Sequence, residues 1–210
     1  MNDIAIYNKN AIKNYDADLP VFFNPNEIKH ILSEVDKLRT DGPRGKMNAK
    51  YKALTYLLIF SGCRRGEALS LTRSDIDYTN KTIKLVTLKK RARRKKLDAV
   101  YRFVPVKDRC LLSLMEYTNT IKTDLLFPIK KVTVNKFYER FLVKNCGMDR
   151  SRSHPHTFRH SYAVNLLMQG VPINILKELL GHSSITTTMI YLKITQQDIK
   201  EVLKGVNIGE

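Results

Sequence analysis

Cysteine is scarce in this chain of 210 residues, and long apolar runs are missing. The three cysteines, Cys63, Cys110 and Cys146, are scattered and odd in number, which indicates neither a disulfide framework nor a zinc knuckle. A reducing cytosol is the expected compartment. The longest apolar stretch, ALTYLLIF (53–60), falls short of the roughly 18 residues that cross a bilayer and reads as a buried helix. The opening MNDIAIYNKNAIKNYDADLP has no basic segment followed by an apolar one, so nothing there looks like a signal peptide. Acidic residues are also in short supply. Twenty Asp and Glu face 37 Lys and Arg, leaving a formal charge of +17. That excess points to a polyanionic partner, nucleic acid foremost. A ribosomal or membrane-surface protein would share it, but no amphipathic basic helix with exposed aromatics supports a membrane.

A hydrophobic content of 43% suits one compact domain with its own core. Residues 1–20 are polar and read as a tail or linker, and order is expected from 21 onward. Asn24 is a good N-cap, Pro25 suits the first helical position and Glu27 completes a capping box. Ile28, Ile31, Leu32, Val35 and Leu38 then make one apolar stripe. A second helix over about 48–60 stops at Gly62, and a short one covers 65–71. TIKLVTL (82–88) and YRFVPV (101–106) read as the two strands of a hairpin. Further helices are expected near 108–121, 133–145, 156–169, 172–180, 183–191 and 196–204. Gly147, Gly170 and Gly181 sit where helix ends favour a left-handed residue, and Pro172 opens the following helix. The fold class is mainly α with a small antiparallel sheet (α+β).

Four constellations carry possible chemistry. In SGCRRGEALSL (61–71), Arg64 follows a helix-breaking glycine, and its planar fork suits phosphate. Glu67 could hold that fork, or the two could be an exposed pair worth little. In HPHTFRHSYA (154–163), His156, Arg159 and His160 share a helical face. The histidine spacing permits zinc, but Arg159 on the same face opposes a cation; three of the chain's five histidines within seven residues also argue against a merely solvated basic helix end. In LLGHSSITTTMIYL (179–192), His182 follows a helix C-terminus, which favours a charged or donating imidazole. Tyr191 lies nine residues on. Taken singly it reads as core beside Met189 and Leu192, because a phenol is a poor nucleophile unless cations stabilise its anion. Finally, KKRARRKK (89–96) is a basic connection that contacts phosphates without reading sequence, through Lys90, Arg91, Arg93, Arg94, Lys95 and Lys96. A lysine at the strand end could instead donate a proton, Lys89 being the best fixed and Lys90 second.

Taken together, these residues would surround a phosphodiester with positive charge. Donors placed on the non-bridging oxygens do most of the work in phosphoryl transfer. The same cations would lower the pKa of Tyr191, and lysine or histidine could protonate a leaving hydroxyl. No acidic cluster suited to two magnesium ions appears in these segments, so covalent phosphotyrosine chemistry without metal or other cofactor fits better than a nuclease.

In order and spacing these motifs resemble the tyrosine recombinase (phage integrase) family, from about Phe22 to the C-terminus. SGCRRGEALSLTRSDID, HPHTFRHSYA and LLGHSSITTTMIY are similar to its three motifs, with Ser61 where threonine is common. The resemblance implies that Arg64 and Arg159 clamp the scissile phosphate and Lys89 protonates the leaving oxygen. His156 would act as acid/base, His182 would donate to a non-bridging oxygen, and Tyr191 would attack to give a 3′-phosphotyrosyl bond. Glu67 and His160 would be supporting residues. It further implies double-stranded DNA as partner, a homotetramer of paired dimers on DNA, accessory DNA-bending proteins, a cytoplasmic, nucleoid-associated location, and a tail helix in 195–210 that docks in a neighbouring protomer. Family members carry an N-terminal core-binding domain of about a hundred residues; here about twenty residues precede the catalytic part, as in short inversion-type recombinases or an excised domain. A type IB topoisomerase or hairpin resolvase shares the chemistry, and a non-catalytic DNA-binding regulator shares the charge.

Overall fold

The computed structural model describes residues 20–88 and 99–193. The expected tail, the basic connection 89–96 and the expected helix 196–204 lie outside the described residues. Helix α1 (Pro25–Asp36) begins as its sequence dictates. Asn24 Oδ1 accepts from the Glu27 N–H at 2.9 Å, and the Asn24 N–H donates to Glu27 Oε2 at 2.8 Å. Ile31, Leu32 and Val35 are buried. Helix α2 (Gly45–Ser61) runs through the core and is apolar on nearly every side, because α1, α3 (Arg65–Leu69), α4 (Asp108–Thr118) and α6 (Pro155–Met168) all pack on it. It stops at Gly62, whose φ of 57° ends the helix in the left-handed region.

The sheet has three antiparallel strands in the order β1 (Ile76–Asp77), β2 (Thr82–Leu88), β3 (Ala99–Pro105). The hairpin was legible, but β1 was not, since two residues are too few for a period. Ile76 pairs with Ile83, and Leu85 with Arg102. Side chains alternate along β3: Tyr101 and Phe103 face outward, Arg102 and Val104 inward.

Helix α5 (Lys131–Lys144) closes the main core, where Tyr51 stacks on Phe137 with centroids 3.6 Å apart. Cys63, Cys110 and Cys146 are all buried free thiols. A smaller apolar cluster joins Phe22 to α6, to α7 (Ile173–Leu180) and to the helical turn that follows. It contains Ala163, Val164, Leu176, Leu180 and Tyr191. Pro172 caps α7 from just outside instead of opening it. Gly181 ends α7 at φ 65°, and helical backbone resumes at 186, continuing to the last described residue, 193. Among the described residues no helix is long and apolar enough to cross a membrane.

Candidate active site

Arg64 and Arg159 arrive from different elements at neighbouring backbone carbonyls. Arg64 precedes α3; its N–H donates to Glu67 Oε2 at 2.7 Å and its Nη1 to Glu67 Oε1 at 2.9 Å. Its Nη2 makes a longer contact of 3.4 Å with the Gly181 carbonyl. Arg159, on α6, is 2% exposed and forks between the carbonyls of Gly62 (2.8 Å) and Leu180 (2.7 Å). Burial and the nearby Arg64 lower its pKa to about 10, so it is still charged at neutral pH. The pair with Glu67 is therefore not the exposed, inconsequential one: the Glu67 side chain is 6% exposed. Burial alone would raise its pKa, but the Arg102 fork, the Arg64 N–H and both guanidinium charges outweigh that and hold the carboxyl at about 2.

Arg102 was missed in the sequence. Its Nη1 and Nη2 donate to the two Glu67 oxygens at 3.0 and 2.7 Å, and its Nε donates to the Leu179 carbonyl at 2.8 Å. The signal was the period-2 pattern of YRFVPV, which puts Arg102 on the same inward face as Val104 and Val106. A charge at an inward strand position needs a buried partner. Gly62 has a second reason to be glycine besides its φ, because a Cβ there would lie 2.3 Å from Cδ1 of Tyr162.

The histidines form the other half. On α6 the rings of His156 and His160 meet edge to face, with centroids 4.4 Å apart. His160 Nδ1 lies 3.0 Å from the Tyr191 hydroxyl. Burial, then His156 and Arg159, lower the His160 pKa to about 3. The ring is neutral, and its Nδ1 and the phenol share one proton between them. His182 is also neutral, where a charged or donating imidazole is expected at a helix C-terminus. Burial, Arg159, Arg64 and Arg102 together outweigh the helix end and lower its pKa to about 4. Its Nδ1 sits 2.8 Å from the hydroxyl of the fully buried Thr188. In the tautomer whose Nδ1 accepts from that hydroxyl, the proton sits on Nε2 and a neutral His182 keeps a donor.

Tyr191 both packs and bonds. It is 3% exposed within the smaller cluster, and only its hydroxyl meets a polar partner. The expectation that cations lower its pKa is corrected: Arg159 and Arg64 do pull it down, but burial pushes harder and the net shift is upward. Arg64 and His156 line one cleft of about 500 Å³ together with Arg65, Lys131, Asn135 and His154. Among the described residues no group of three or more His, Cys, Asp or Glu could hold a metal ion. Arg64, Glu67, His156, Arg159, His160, His182 and Tyr191 are thus brought together. Lys89, Lys90, Arg91, Arg93, Arg94, Lys95 and Lys96 lie outside the described residues.

The chain fits the phage integrase family over residues 22–198, and it belongs to that family. It is 30% identical over 187 residues to a tyrosine recombinase of Pseudothermotoga lettingae, covering 86% of this chain and 58% of that protein. With the tyrosine recombinase XerD of Rickettsia prowazekii it shares 31% over 205 residues, 90% of this chain and 64% of the other. Its fold is similar to that of the XerH site-specific recombinase in a post-cleavage complex with palindromic difH substrate. There the TM-score is 0.72 at 25% identity, over 90% of this chain and 55% of that one. The chain therefore spans less than two thirds of the length of these relatives.

Proposed function

We propose that this protein is a site-specific DNA recombinase that breaks and rejoins strands through a 3′-phosphotyrosyl bond, with no metal or ATP. The observation that carries this is the fixed pair Arg64 and Arg159, set on adjoining carbonyls beside a phenol already bonded to an imidazole. In this reading the two guanidinium groups and His182 hold the non-bridging oxygens, where charge builds in the transition state. The Tyr191 oxygen attacks phosphorus as the bond to the 5′-oxygen breaks. The phenolic proton leaves toward the imidazoles, with His156 as acid/base and His160 in support, and Lys89 protonates the 5′-oxygen. Reversal by a 5′-hydroxyl from a second duplex completes exchange, and ester energy is retained throughout. The solved relative caught after cleavage on its DNA supports the same outcome here.

The finer parts of this reading are a catalytic domain from residue 21 onward, a synaptic homotetramer, a tail in 195–210 docked on a neighbour, and location at the nucleoid. Phosphate contacts are assigned to Lys90, Arg91, Arg93, Arg94, Lys95 and Lys96. The test uses nicked duplexes of random sequence incubated with the protein in EDTA, then denatured in SDS. A covalent protein–DNA adduct is expected, and sequencing the trapped DNA supplies the site. Tyr191→Phe should abolish the adduct while leaving DNA affinity within about fivefold, since only one hydrogen bond of about 1 kcal/mol is lost. A protein that binds DNA but yields no adduct in either form is a regulator, not a recombinase.

A further inference from the structure

The last carbonyls of α7 have no partners within the helix. His182 and Gly181 N–H groups close back on Lys177 and Glu178. The next three carbonyls in sequence are each met by a different arginine: Leu179 by Arg102, Leu180 by Arg159 and Gly181 by Arg64. Of these, Arg102 alone comes from the sheet, and it shares Glu67 with Arg64.

We propose that Arg102 is a positioning residue for strand cleavage: its single guanidinium locks Glu67, and through it Arg64, to the end of α7 that carries His182. This rests on the reading of the site given above. A fork with three donor nitrogens is needed, because two carboxylate oxygens and one carbonyl are held at once. Losing it removes one of the three guanidinium contacts at the α7 end and the bidentate hold that ties Glu67 to it. A misplacement of about 1 Å in a clamping group costs about a hundredfold in rate.

The experiment uses the full chain and a nicked duplex recovered from the random pool. Three quantities are measured: the single-turnover rate of adduct formation at saturating DNA, the affinity for the same duplex, and the thermal midpoint. Arg102→Met should slow the adduct about a hundredfold at pH 7 with affinity changed less than about threefold. The rate should also gain an acid limb at higher pH than wild type. The buried Glu67, facing Arg64, Arg159, His182 and the Cys63 thiol, loses its strongest partner and takes up a proton sooner. Adding Glu67→Gln should remove that shifted limb. Arg102→Lys, which keeps the charge but one donor centre, should move the limb back without restoring the full rate; it also serves if Arg102→Met does not fold. Wild-type rates in Arg102→Met or in Arg102→Lys overturn the proposal. So does a parallel fall of rate, affinity and thermal midpoint with no shifted limb. A wild-type protein that forms no adduct with any duplex in the pool sinks the reading of the site itself.

Discussion

The arginine half of the site and the tyrosine half are built in opposite ways. Arg64, Arg102 and Arg159 are charged and anchored on main-chain carbonyls and a buried carboxylate, by contacts that span up to 117 residues of sequence. His156, His160, His182 and Tyr191 are held by neutral side chains meeting other side chains, on a small apolar cluster. The difference teaches that charge in this site is set by the fold, whereas the nucleophile is set by local packing. A bound phosphate has to reach a guanidinium that is 2% exposed in the first half and a phenol that is 3% exposed in the second.

The comparison breaks most sharply at Arg159. A lysine there cannot reach the Gly62 and Leu180 carbonyls together, so Arg159→Lys should cut adduct formation on the order of 10³-fold. Denaturant titration should show a loss of about 2 kcal/mol from the stranded carbonyls. Next in size is Gly62→Ala, which meets both a left-handed φ and the Tyr162 ring. A stability loss of about 2 to 4 kcal/mol and a rate loss near a hundredfold are expected. Adding Tyr162→Ala should recover the steric part alone.

The smallest effect is on pH, and it separates the halves. His160 and His182 titrate at about 3 and about 4 in the folded chain, below their ordinary 6.5. The unfolded chain then binds more protons, so their contribution is full above about pH 6.5 and declines as pH falls toward 4. Glu67, lowered from 4.5 to about 2, contributes fully above 4.5 and is lost only below it. Urea midpoints should therefore fall from pH 7 to pH 5, and the double variant His160→Gln/His182→Gln should flatten that slope. A slope left intact in the double variant would place the titrating groups elsewhere.

What the sequence made legible follows the same division. The capping box at Asn24, the left-handed Gly62, Gly147, Gly170 and Gly181, and the hairpin strands are local signals, and each lies where its chemistry put it. The grouping of Arg64, Glu67, His156, Arg159, His160, His182 and Tyr191 came from motif order. Arg102 escaped because its inward strand position shows only that a buried partner is needed, while the partners themselves, Glu67 and Leu179, are 35 and 77 residues away. The neutral His182 and the raised Tyr191 pKa escaped for a related reason: burial depends on how helices pack, and no motif encodes its depth.

The arginine grip on α7 is blind to side chains, since it touches only peptide oxygens at Leu179, Leu180 and Gly181. That helix can therefore drift in composition as long as Leu176 and Leu180 stay apolar and the glycine ends it. Length is another matter. One residue inserted or deleted turns the helix end by about 100° and carries all three oxygens away from their guanidinium groups at once. Evolution can repaint this element freely, but it cannot change its number of bricks.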